Sequence, residues 1–138
     1  MITSSFIFIP GIGEKTEEYL WKSGVLTWDD FKKADVPFLN ETKKRIIEDY
    51  LELGRDALDR KDSSFFAENL PQEEYWRLYK DFRDETLFLD IETTGLSRHY
   101  DVTTLIGTSD GHNIKIFLKD NNLSEIVDYV QNFQIVVT

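Results

Sequence analysis

Leu87-Phe88-Leu89-Asp90-Ile91-Glu92-Thr93-Thr94-Gly95-Leu96 begins as an apolar run and then breaks its own pattern. Leu87 to Leu89 read as a strand covered on both faces. Asp90 and Glu92 follow two residues apart, and in a strand residues i and i+2 point to the same face. Two carboxylates therefore stand side by side at the end of a hydrophobic strand. Like charges this close repel, and burying either is costly unless something neutralises it. A hard divalent cation does so, and Mg²⁺ prefers one or two carboxylates with waters and phosphate oxygens. Thr93-Thr94-Gly95 then turns the chain, and glycine allows close backbone approach to a ligand. Taken alone, Asp-x-Glu also fits a strand end whose acids simply face water.

Composition bounds what surrounds this stretch. The chain has 138 residues, enough for one domain or for one small domain with part of another. It is 41% hydrophobic and 14% aromatic, so it can bury a core. It has no cysteine, which excludes disulfides, thiolate zinc sites and a cysteine nucleophile. The start lacks the basic region and long apolar stretch of a signal peptide, and no apolar run is long enough to span a bilayer. A soluble, cytoplasmic protein with no membrane partner is expected. The net charge is −10, which argues against a non-specific nucleic-acid binder. The imbalance is larger in the second half: residues 1–60 carry 9 basic and 12 acidic side chains, residues 61–138 carry 7 and 14.

Upstream of the acidic strand the pattern is mostly helical. Phe6 to Ile9 reads as a short strand, ended by Pro10-Gly11-Ile12-Gly13. A helix is expected over Glu14 to Ser23 with Tyr19 and Leu20 inward and Gly24 as its cap. Thr27-Trp28-Asp29-Asp30 is a capping box with Asp in place of Glu. Asn40 caps a long helix to Arg60 with Ile46, Ile47, Tyr50, Leu51, Ala57 and Leu58 on one face. Lys43-Lys44-Arg45 on it reads as a solvated face. Residues 65–70 form a short helical turn. Pro71 opens a further helix whose stripe of Tyr75, Trp76, Leu78, Tyr79 and Phe82 reads as a core contact rather than a base-stacking platform. Residues 1–85 thus form a helical module, and residues 86–138 a second region.

Downstream, Val102 to Ser109 and Asn113 to Lys119 are two strands joined at Asp110-Gly111, a hairpin signal. Asn122 caps a helix running to about Asn132, with Ile126, Val127 and Val130 inward. Gln134 to Thr138 reads as a buried strand. Periodicity and turns define only an α/β protein.

The string from Phe88 to Leu96 closely resembles the first motif of the DEDD-type (DnaQ-like) 3′–5′ exonucleases, which share the ribonuclease H-like fold. Within them it is most similar to the YprB-like group. The resemblance extends weakly over residues 6–138 and specifically from Leu87. It implies an α/β fold in which the helical module precedes the first half of a ribonuclease H-like mixed sheet. It also implies metal-dependent phosphodiester hydrolysis of DNA or RNA, with nucleic acid as the partner and Mg²⁺ or Mn²⁺ as cofactor. In that family four acids hold two metal ions about 3.5–4 Å apart. By resemblance Asp90 bridges both ions, and Glu92 binds one and orients the attacking water. The turn of Thr93, Thr94 and Gly95, with Leu96, holds the 3′-terminal nucleotide.

The family's later acidic motifs have no counterpart in this sequence: Asn132-Phe133 is not followed by Asp. His99 and His112 receive no role, and Asp101 and Asp128 have no assigned place. A fragment of a longer nuclease is therefore expected, weak or inactive alone, with a sheet edge that favours self-association. A non-catalytic nucleic-acid-binding or protein-interaction module is the alternative. Ile9 to Thr16 additionally resembles half of a helix-hairpin-helix element. That resemblance implies phosphate contact at Gly11, Gly13 and Lys15. Glu14, Glu17 and Glu18 crowd the same place, and a structural role for the turn is the competing reading.

Overall fold

A computed structural model describes residues 1–95 and 100–138. The chain divides into two compact units, Met1–Asp81 and Phe82–Thr138.

The first unit is helical. It contains α1 (Glu14–Lys22), α2 (Trp28–Phe31), α3 (Glu41–Asp59) and α4 (Ser63–Asn69), with 3₁₀ turns at Ile2–Ser4 and Gln72–Leu78. The caps follow the sequence. Asn40 accepts from the Lys43 amide, and Thr27 and Asp30 form a complete capping box. The Thr27 hydroxyl and amide hold the Asp30 carboxyl below its usual range. Gly24 adopts φ +89°, so that Val25 N–H reaches back to the Leu20 carbonyl and closes α1.

The core is aromatic. Phe8 lies 5.4 Å from Trp28 and 5.7 Å from Phe66, ring to ring, and Phe6 lies 6.2 Å from Phe31. Gly54 on α3 makes this packing possible, since a Cβ there would sit 3.0 Å from the Trp28 ring. The Trp28 indole donates to the Ser5 carbonyl at 2.7 Å.

Three expectations fail in this unit. Phe6 to Ile9 is not a strand. No strand of this unit is available to pair with it, and all four side chains are buried together rather than on alternate faces. Consecutive turns bond Ile9 N–H to Phe6 O and Ile12 N–H to Ile9 O instead. In α1 the inward residues are Leu20 and Glu17, while Tyr19 is 63% exposed and meets the Phe38 ring. After Pro71 the chain forms 3₁₀ rather than α-helix. There Trp76 and Tyr79 are exposed and Leu78 is buried.

The second unit is a four-stranded mixed sheet of β1 (Thr86–Thr93), β2 (Thr103–Ser109), β3 (Ile114–Leu118) and β4 (Ile135–Val137), in the order β3-β2-β1-β4. β1 pairs antiparallel with β2 and parallel with β4, and β2 pairs antiparallel with β3. A 3₁₀ turn and the short helix α5 (Ile126–Val130) connect β3 to β4. The succession of strand, two-strand hairpin, helix and strand is the one read from the sequence, and the sheet is mixed, as the resemblance implies. The hairpin loop is held by Asp110, whose carboxylate accepts from the His112 and Asn113 amides. Those bonds hold its pKa below the ordinary value. They are therefore in place above the ordinary carboxyl range and are lost as pH falls through the lowered value.

The two faces of the sheet differ. Leu87, Ile106, Thr108 and Phe117 lie on one face and are buried. There Tyr129 of α5 meets Phe117 at 5.5 Å. Tyr129 takes the inward place expected of Val127, which is 60% exposed. Asn122 does not cap the helix by its side chain. Its amide ties off β3, accepting from Leu118 N–H and donating to the Ile116 carbonyl. The opposite face carries Phe88, Ile114, Ile116, Leu118 and Val137, all exposed. β1 is accordingly not covered on both sides as its apolar start implies: Leu87 is fully buried, whereas Phe88 is 38% exposed.

Candidate active site

Asp90 and Glu92 stand on the open face of β1, in line with Phe88, as the period of two requires. Both are exposed, and neither carboxylate has a hydrogen bond or ion pair with any described residue. The register supplies what the sequence could not. Directly across from Asp90 on β2 is Gly107, with Leu105 across from Glu92 and Ser109 across from Phe88. Opposed residues share a face, so Gly107 leaves the space beside Asp90 empty. A Cβ there would approach nothing closer than Leu105 at 4.0 Å. Glycine inside a strand is otherwise unfavourable and often marks the close approach of a ligand. The only signal for it in sequence was a glycine within an apolar strand, and its partner could not be read without the register. An open groove of about 460 Å³ runs over this spot between Phe88, Asp90, Gly107, Ser109, Ile114 and Val137.

β1 ends in a bulge. The pairing is regular to Glu92 with Leu105 and then shifts to Thr93 with Thr103. Thr104 is the extra residue, and its hydroxyl donates to the Glu92 carbonyl at 3.0 Å. Bulges at strand ends re-aim side chains, and this one falls at the second acid. The turn beyond it is internally bonded. The Thr93 hydroxyl donates to the Gly95 carbonyl, and the Thr94 hydroxyl donates to Asp101 at 2.9 Å while accepting from the Val102 amide. The close approach at Gly95 is made by the Asp101 carboxylate. Leu96 lies outside the described residues, as does His99.

The oxygen-only donor set of Asp90 and Glu92 fits a hard divalent cation completed by water and phosphate oxygens. Among the described residues no group of three or more His, Asp or Glu is gathered in a way that could hold a metal ion. Filling the groove tests whether the space beside Asp90 matters. Gly107→Val is expected to keep the fold, since β-branched residues suit strands, yet to weaken Mn²⁺ binding at Asp90 about 10-fold, the scale of disturbing a metal ligand's surroundings. Mn²⁺ titration with a thermal melt of the same sample measures both.

The residues of the helix-hairpin-helix resemblance belong to the first unit. Gly11 adopts φ +78° in the turn, and Gly13 is the N-cap of α1, with its carbonyl accepting from the Thr16 and Glu17 amides. Lys15 is exposed. Glu17 does not crowd the helix start, contrary to the sequence reading. It is 1% exposed and turned inward, where it accepts from the Phe6 amide at 2.6 Å and pairs with Arg77 at 3.0 Å.

A family model described as the RNase H superfamily matches residues 87–138. The match begins within β1 and takes in both acids and all four strands. Phe82–Thr138 thus carries a ribonuclease H-like α/β sheet, preceded by a helical module. No curated protein and no solved structure matches the chain. That superfamily is what residues 87–138 are similar to. No helix among the described residues is long and apolar enough to cross a membrane.

Proposed function

We propose that this chain carries the metal-binding first half of a 3′–5′ exonuclease site, of the DEDD type and YprB-like, acting on DNA or RNA. The observation that carries the reading is the unpartnered pair Asp90 and Glu92, set on the open face of a ribonuclease H-like sheet with Gly107 clearing the space beside them. In this reading Asp90 and Glu92 hold Mg²⁺ or Mn²⁺, which when bound lowers the pKa of a water and stabilises the leaving oxygen. Asp90, which faces the empty side, would help hold the metal. Glu92, beside the bulge, would be a second carboxylate holding the metal and would orient the attacking water. That water would attack phosphorus as the bond from phosphorus to the 3′ oxygen breaks, giving one proton to solvent while the leaving 3′ oxygen takes one up from solvent to become a hydroxyl. Thr93, Thr94 and Gly95, with Leu96, position the terminal nucleotide.

Two carboxylates where the resemblance implies four predict slow turnover. The acidic balance and the short acid set favour, as a second reading, a nucleic-acid-binding module without cleavage. The test is stepwise shortening of 5′-labelled single-stranded DNA and RNA in Mn²⁺ or Mg²⁺. Metal-dependent 3′ shortening supports the first reading. Salt-dependent binding without cleavage selects the second, and neither behaviour refutes both. We also propose self-association through an edge, β3 or β4. Light scattering after size exclusion reads this directly, and a monomer at high concentration overturns it.

A further inference from the structure

We propose that Asp101 is a positioning residue for the acid pair: its carboxylate closes the turn that follows β1 and so fixes the direction of Glu92. The inference rests on the reading of Asp90 and Glu92 as metal ligands and adds to it a residue from the far side of the loop. Three observations converge. The Thr94 hydroxyl is committed on both sides, donating to Asp101 Oδ1 at 2.9 Å and accepting from Val102 N–H at 3.1 Å. The Thr94 amide donates to the Val102 carbonyl at 3.1 Å, so the chain ends are joined beyond the bulge. Gly95 then has the Asp101 carboxylate laid against it so closely that a Cβ would stand 2.7 Å from Oδ2. No positive φ is present at this position, and the atoms close to it are the end of the Asp101 side chain.

The consequence reaches Glu92 through the backbone. Upstream of the bulge Glu92 is fixed by its pairing with Leu105 and by the Thr104 hydroxyl on its carbonyl. Downstream its frame is Thr93 and Thr94, whose place depends on Asp101. Removing the acceptor at Asp101 releases the Thr94 hydroxyl and lets the turn open. Asparagine keeps a carbonyl oxygen in the same place without the charge. It therefore separates a positioning role from a direct electrostatic one.

The experiment uses the full chain as wild type, Asp101→Ala, Asp101→Asn, Thr94→Val and the Asp90→Asn control. The readouts are hydrogen exchange at the Thr94 amide and Mn²⁺ affinity from paramagnetic broadening of β1 resonances. Amides of the β2–β3 ladder report whether the sheet is intact. Asp101→Ala and Thr94→Val are each expected to speed Thr94 exchange about 10-fold, the worth of one hydrogen bond, and to weaken Mn²⁺ several-fold. Asp101→Asn is expected to stay within about 2-fold of wild type on both, since the acceptor is retained. Unchanged Thr94 exchange in both Asp101→Ala and Thr94→Val overturns the proposal. So does an Asp101→Asn variant that binds Mn²⁺ as weakly as Asp101→Ala, because the charge would then be what matters. Wild-type protein that binds Mn²⁺ no better than Asp90→Asn instead refutes the metal reading of the acid pair. The closing of the turn by Asp101 is then decided by Thr94 exchange alone.

Discussion

Arg77→Ala is expected to lower the unfolding free energy by about 3–5 kcal/mol, the range for breaking a buried ion pair from one side. The reason lies in what remains. Glu17 has a side chain only 2% exposed and Arg77 one 11% exposed, with 3.0 Å between their charged atoms. Glu17 also accepts from the Phe6 amide and the Ser5 hydroxyl. Without the guanidinium, an anion would stay buried on two neutral donors. Arg77 further pairs with Glu74 and lies over the rings of Trp21 and Trp76 at 5.7 and 5.4 Å. These contacts bind the 3₁₀ segment to α1 and the N-terminal turns, all within the first unit. A domain's whole stability is about 5–15 kcal/mol, so the variant should unfold at much lower urea. The double variant Glu17→Ala/Arg77→Ala should cost less than the two single changes added, because the first removal already strands the partner. A single-variant loss below about 1 kcal/mol, the range of exposed pairs, would mean that water reaches the pair.

That ion pair also marks where sequence reading stopped. Glu17 read as one of three acids at a helix start, in line with the helix dipole. Its partner is sixty residues away, and nothing local connects Arg77 to α1. The strand expected at Phe6 to Ile9 failed for a related reason. An apolar run of four is compatible with a strand or with a turn buried on every side, and only the surrounding unit decides. Local chemistry read well where it is self-contained. The Thr27 capping box, the Asn40 cap and the Asp110-Gly111 loop all depend on residues within four positions of one another.

At the acidic strand the period of two was enough to put Asp90 and Glu92 on one face. It could not say which face lies open, because that is set by where α5 packs. Nor could it pair Asp90 with Gly107, which is a matter of register, or bring Asp101 onto Gly95 across the loop. The sequence motif therefore names the acids. The sheet names the residues that make room for them and hold them.

Asp90→Asn separates those roles by moving function and stability in opposite directions. Asp90 is exposed, has no described partner and stands two residues from another carboxylate on the same face. Removing its charge relieves repulsion, so the melting temperature should hold or rise slightly. A structural acid would behave otherwise: losing a bonded carboxylate costs stability. The amide is close in size and keeps one oxygen, so the groove keeps its shape. What it loses is the anionic oxygen that a hard cation needs. Mn²⁺ affinity, and any metal-dependent cleavage, are expected to fall at least about 100-fold, the upper end of what disturbing a metal ligand's supporting partner costs. Glu92→Gln should follow the same pattern. If either variant binds Mn²⁺ like the wild type, the pair is a solvated strand end, and the nuclease reading of this chain loses the observation that carries it. A fall in binding with unchanged melting would tie the ion to the place on the open face where Asp90 and Glu92 meet the empty position at Gly107.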